Sequence, residues 1–152
     1  MKKYFSFAIA LLACAFTFTS CEPKIDSPLV GGWSYRGTLT EIDVTTGYQV
    51  EREVLYSLHF FDNGDFQHSI FYYDDYGYAT ADGYVKQGSW SVKEDKVTIN
   101  TKKSGVIRNK EFIYDSSFKP TTDEATWRID GHYLILKYAS DGHEESYYDG
   151  KY

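Results

Sequence analysis

The chain has 152 residues, a formal net charge of −6 at pH 7, and 18% aromatic residues, including 15 Tyr and 10 Phe. An acidic chain of this length with no Lys/Arg-rich run is repelled by phosphate backbones, which excludes nucleic-acid binding. Its 2 Cys, Cys14 and Cys21, exclude a disulfide scaffold.

The chain opens as a processing segment. Lys2 and Lys3 form a short positive region, and Tyr4 to Phe18 ("YFSFAIALLACAFTF") is an apolar run of about fifteen residues, short of the roughly 20 that a membrane span needs. The small pair Thr19-Ser20 leads directly into Cys21. This "FTSC" resembles the lipobox of bacterial lipoprotein signals. The resemblance implies cleavage before Cys21, with lipid on its thiol and new amino group. Residues 1–20 would then be removed, taking Lys2 and Lys3 and moving the charge from −6 to −8. Several acyl chains at ~0.8 kcal/mol per buried CH₂ make such attachment effectively permanent. Cys14 leaves with the signal, so Cys21 would have no partner for an internal disulfide. Residues 21–28 are then the lipidated cysteine and a short tether, and 29–152 one domain. The expected place is the bacterial envelope, anchored at the outer membrane and facing either the periplasm or the exterior.

After Pro28 the pattern is that of strands. Aromatic and β-branched residues alternate between short Gly/Asp/Asn turns, which suits pleated, half-buried surfaces. Strands are predicted over 33–42, 48–61, 66–73, 84–92, 97–103, 106–114, 125–130, 134–139 and 143–148. The short connections demand antiparallel hairpins.

In "VLYSLHFFDNGDFQHSIFYY" the inward sets are Val54, Tyr56, Leu58, Phe60 and Phe66, His68, Ile70, Tyr72. A two-residue Asn63-Gly64 turn would put these sets on opposite faces and set His59 against His68, the start of a metal site. A three-residue Asp62-Asn63-Gly64 loop with Gly64 left-handed pairs Phe60 with Phe66 and keeps the sets together. Burial of one face favours the second, and no metal is expected. Further on, "WSVKEDKVTI" from Trp90 and "WRIDGHYLIL" from Trp127 repeat one pattern, Trp followed by aliphatics at +2, +7 and +9. Each reads as a hairpin with its Trp on the aliphatic face. So many twisted strands without crossover connections close in sequence order, giving an all-β, antiparallel up-and-down barrel of about eight strands with no substantial helix.

"LVGGWSY", Leu29 to Tyr35, resembles the Gly-x-Trp opening of lipocalins, with Gly31 and Trp33 at the matching positions. The "FDNGDF" and "GSWSV…DKVTI" hairpins are similar to those of lipocalin-like lipoproteins of the Bacteroidetes. The resemblance implies a barrel with Trp33 plugging its closed end. There is no Thr-Asp-Tyr motif of the animal type and no C-terminal helical pattern.

Two binding functions follow. In one, a small apolar or aromatic ligand sits among Tyr56, Leu58, His68, Ile70, Tyr72, Tyr84 and Trp90, and a cavity of roughly 300 Å³ would be its mark. In the other, the core is solid and an envelope protein or glycan is recognised through the Tyr/Asp-rich stretch 72–84, with Tyr73, Asp74, Asp75, Tyr76, Tyr78 and Asp82 as contacts. Without a nucleophile elbow or phosphate loop, neither an enzyme nor a cofactor is expected. The membrane is met through the N-terminal lipid, and the protein is expected to be a monomer.

Overall fold

The computed structural model describes residues 24–109 and 111–150; the signal segment and Cys21 lie outside them. Among the described residues there is no helix, and nine strands are formed. They are β1 (Gly31–Ile42), β2 (Gln49–Phe60), β3 (Asp65–Tyr73), β4 (Ala79–Lys93), β5 (Lys96–Arg108), β6 (Glu111–Tyr114), β7 (Thr121–Asp130), β8 (Tyr133–Tyr138) and β9 (Glu144–Tyr148). All pair antiparallel, in the order β4-β3-β2-β1-β9-β8-β7-β5-β6, and a β4–β5 ladder closes the ring. Eight strands form an up-and-down barrel, and β6 is an added ninth. This is the build of a lipocalin-like barrel.

The ring closes over only part of its height. β1, β2 and β5 are 12 to 13 residues long, whereas β8 and β9 have 6 and 5. β9 therefore meets β1 only at Ser34↔Tyr148. β5 pairs with β7 from Lys96 to Thr101, and above that with β6 from Gly105 to Arg108. One end is a closed barrel; the other is a curled sheet of β1 to β6.

Apolar side chains concentrate at the closed end. Leu29, Trp33, Leu58, Phe60, Phe66, Trp90, Val97, Ile99, Leu134, Leu136 and Tyr147 form one buried cluster. Each large aliphatic or aromatic side chain withdrawn there contributes about 1.5–3 kcal/mol. Three indoles fasten the surrounding chain. Trp33 Nε1 donates to the Leu29 carbonyl at 2.9 Å, Trp90 Nε1 to Phe61 at 2.9 Å, and Trp127 Nε1 to Glu94 at 3.2 Å. A buried indole N–H needs such a partner. Trp33 is buried within this cluster, and Gly31 before it has φ +140°, a conformation that favours glycine.

The β2–β3 hairpin has the three-residue loop. Gly64 N–H donates to Phe61 O at 3.1 Å and Phe61 N–H to Asp65 O at 3.0 Å, with Gly64 at φ +86°. Phe60 stands opposite Phe66, Leu58 opposite His68, and His59 opposite Gln67. Both tryptophan hairpins also form, with Trp90 opposite Ile99 and Trp127 opposite Leu136.

Three boundaries differ from expectation. β4 begins at Ala79 rather than 84, because Gly83 lets β3 and β4 approach closely where Thr80, Ala81 and Asp82 carry no apolar alternation; a Cβ on Gly83 would land on the Ile70 carbonyl. The loop expected over 72–84 is therefore a five-residue tip, 74–78. The predicted break near Ser104-Gly105 is also absent. β5 runs through it with an extra residue near Lys102, and the reversal comes at Asn109, whose φ is +51°. β6 is then only Glu111–Tyr114, and β7 starts four residues early, at Thr121.

The expected tether is docked from Lys24 onward. Ile25 packs on the core cluster and its N–H donates to Asp62 O at 2.7 Å, while Lys24 Nζ lies 2.9 Å from Asp62 Oδ2.

Candidate binding site at the open end

The inward strand positions divide by height. Leu58 and Trp90, expected to line a ligand cavity, are only 2% and 3% exposed and belong to the closed-end core. Tyr56, His68, Ile70, Tyr72 and Tyr84 lie above them on the concave face of the curled sheet.

Tyr56 stacks on Tyr35 with ring centroids 4.5 Å apart, and Tyr147 meets Tyr35 edge-on at 5.0 Å. His68 lies 6.4 Å from Tyr56, nearly parallel to it. Its Nε2 is buried and has no hydrogen-bond partner among the described residues. Burial, then the nearby Lys86 charge, push its pKa from 6.5 down to about 4, with Glu145 acting weakly the other way. His68 is thus a neutral imidazole at physiological pH with an unused ring nitrogen.

Glu145 collects phenols below His68. Its Oε2 accepts from Tyr138 at 3.0 Å and Tyr147 at 2.7 Å. Burial, with the Glu145 charge beside them, drives both phenol pKa values far up, and burial takes that of Tyr35 to about 12. A second hub sits higher. Glu41 Oε1 accepts from Tyr72 at 2.5 Å and Tyr84 at 2.9 Å, and Arg52 Nε approaches Oε2 at 3.6 Å. These networks fix the phenols as structural donors, so Tyr72 and Tyr84 present ring faces rather than free hydroxyls.

A cleft of about 150 Å³ opens beside His68, lined by His68, Ile70, Tyr84, Val85, Lys86 and Ser104. It has half the volume set out above for a drug-sized ligand. A second concavity, of about 240 Å³, shares Tyr84 with it and is lined also by Tyr72 and Val106, whereas one of about 440 Å³ along β5, β7 and β8 lies away from these residues.

At the tip joining β3 and β4, Asp74 is committed to the turn: its Oδ1 accepts from the N–H groups of Tyr76 and Tyr78 at 3.0 and 2.9 Å. Asp82 sits within β4 and accepts from Asn109 N–H at 2.9 Å, tying two tips together. Tyr73 is half-buried under the Arg36 guanidinium, 4.2 Å from its ring centre. Asp75 is exposed, and Tyr76 and Tyr78 are 86% and 72% exposed. The neighbouring β1–β2 tip adds Val44 at 99%, Tyr48 at 75% and Ile42 at 59%. Sequence reasoning missed this second tip, although "Thr-Thr-Gly-Tyr" after "Ile-Asp-Val" is a turn flanked by apolar residues. It missed both carboxylate hubs as well, because their members come from strands distant in sequence.

Among the described residues no group of three or more His, Cys, Asp or Glu side chains could hold a metal ion. His59 stacks on Phe61 at 4.2 Å, opposite Gln67 and away from His68. His132 and His143 pair separately with Asp149 and Asp141. No protein-family model matches this chain and no curated protein matches it.

Proposed function

We propose that this protein is a lipid-anchored binding protein of the bacterial envelope, lipocalin-like in build, that recognises a protein or glycan partner with the rim of its open end. One observation carries the reading. Ile42, Val44, Tyr48, Tyr76 and Tyr78 are exposed together on two hairpin tips of the same rim. Clustered exposed apolar residues mark interaction surfaces, and tyrosine offers contact area at low entropic cost. The filled closed end supports a rigid scaffold beneath them. The anchor is the part of the reading supported by the lipobox-like Phe18–Cys21.

The test is binding of the purified protein to isolated envelope fractions, untreated, protease-treated or periodate-treated. Binding lost after protease identifies a protein partner, and binding lost after periodate a glycan. The triple variant Tyr48→Ser/Tyr76→Ser/Tyr78→Ser should abolish binding without unfolding the barrel. Retention of binding by that variant, or none by the wild type, overturns the reading.

A further inference from the structure

On the concave face, His68, Lys86 and Ser104 stand in cross-strand register on β3, β4 and β5. They form a polar row spanning two strand spacings, about 10 Å. The next inward row is Ile70, Tyr84 and Val106, also in register and apolar. Inward rows on one strand are two residues apart, about 6.7 Å. The cleft of about 150 Å³ lies across the two rows.

We propose that this cleft binds a small carboxylate with a single aromatic ring, its carboxylate on His68, Lys86 and Ser104 and its ring against Ile70 and Tyr84.

Four observations converge on this class of ligand. A buried, unpartnered His68 Nε2 is an unused donor or acceptor, and native interiors seldom leave one empty. Lys86 makes no ion pair among the described residues, so its ammonium is available to an anion. One cation with two neutral donors suits a monoanion better than a phosphate dianion. Volume sets the body: ~150 Å³ of apolar space takes a benzene-sized ring. A long acyl chain would exceed it. Glu145, the carboxylate whose charge acts on His68, is engaged by Tyr138 and Tyr147 and leaves the polar row to the ligand. The inference does not depend on the rim, since it uses none of the rim residues.

The experiment is calorimetric and NMR titration of the purified protein with benzoate, benzyl alcohol and palmitate. Benzoate should bind at least about tenfold more tightly than benzyl alcohol, because the charge-assisted hydrogen bonds are lost with the carboxylate. Bound benzoate should also raise the His68 titration midpoint from its value of about 4, while benzyl alcohol leaves it unmoved. His68→Leu and Lys86→Met should each weaken benzoate at least about tenfold; Lys86 is exposed, so its variant keeps the fold. No benzoate binding at millimolar concentration, equal binding of benzyl alcohol, palmitate binding as tight as benzoate, or binding indifferent to both substitutions overturns the proposal.

Discussion

Tyr72 on β3 donates its hydroxyl to Glu41 on β1 at 2.5 Å, reaching past the strand between them. Tyr84, on β4, reaches the same carboxylate oxygen at 2.9 Å. Where β9 no longer supports β1, a carboxylate draws three strands of the sheet towards one another. Glu41→Ala should cost about 2 kcal/mol, the range for hydrogen bonds to a charged group. Urea denaturation measures the loss, and amide exchange should quicken in the upper half of β1. An unchanged midpoint would mean that backbone pairing alone sets the curl.

The two histidines His68 and His143 should respond oppositely to pH. Burial lowers the folded pKa of His68 to about 4, below its ordinary 6.5, so the folded state binds fewer protons between these values. Stability is lost there as pH falls, by up to about 3 kcal/mol for the full shift. His143 is exposed, and Asp141 and then Glu145 raise its pKa, so its contribution is present below 6.5 and fades as pH rises through the folded value. His68→Leu should therefore flatten acid lability between pH 6.5 and 4, read from urea midpoints across that interval. If the wild type and this variant lose stability in parallel, His68 is not the acid-sensitive group.

Gly83, Gly88 and Gly105 are places of close backbone approach. A Cβ at each would land on the carbonyl group of Ile70, Asn100 or Ile113. Because backbone cannot swing aside as a side chain does, each Gly→Ala change should cost about 3 kcal/mol or prevent folding. Gly47, at φ +72° with open space around it, should lose only about 1 kcal/mol from left-handed strain. Thermal melts of the four variants give the ranking, and a Gly47 variant as damaged as Gly83→Ala would contradict it.

Trp90→Phe keeps an aromatic ring in the core but removes the donor to Phe61 O and part of the buried volume. The expected loss is about 2–3 kcal/mol. Trp127, half-buried and bonded at 3.2 Å, should lose about half as much on the same change. Guanidinium unfolding separates the two; equal losses would mean the Trp90 indole bond contributes nothing beyond packing.

Barrel class and one hairpin's register were legible because burial of a single face leaves little choice: Phe60, Phe66, Leu58 and His68 have to share a side. The tryptophan hairpins were legible for the same reason. Thr80 to Gly83 gave no such signal. Their pairing depends on what glycine permits between backbones, which no hydrophobic pattern records. Ser104-Gly105 looked like a turn because glycine marks both reversals and close approaches, and only the strand opposite decides between them. Glu41 and Glu145 were invisible as hubs, since a carboxylate at alternating spacing reads as a solvent-facing residue until distant tyrosines arrive beside it.

The docking of Lys24 and Ile25 against the β2–β3 turn would fix an orientation under the proposed anchor. Were acyl chains carried at Cys21, as proposed, only two residues, Glu22 and Pro23, would separate the bilayer attachment from that docked pair, a reach of about 10 Å. The barrel would then stand on its Trp33 end like a cup on a table, with little freedom to tip over. The tips bearing Tyr48, Tyr76 and Tyr78, together with the cleft beside His68, would face away from the lipid, towards whatever diffuses past the membrane surface.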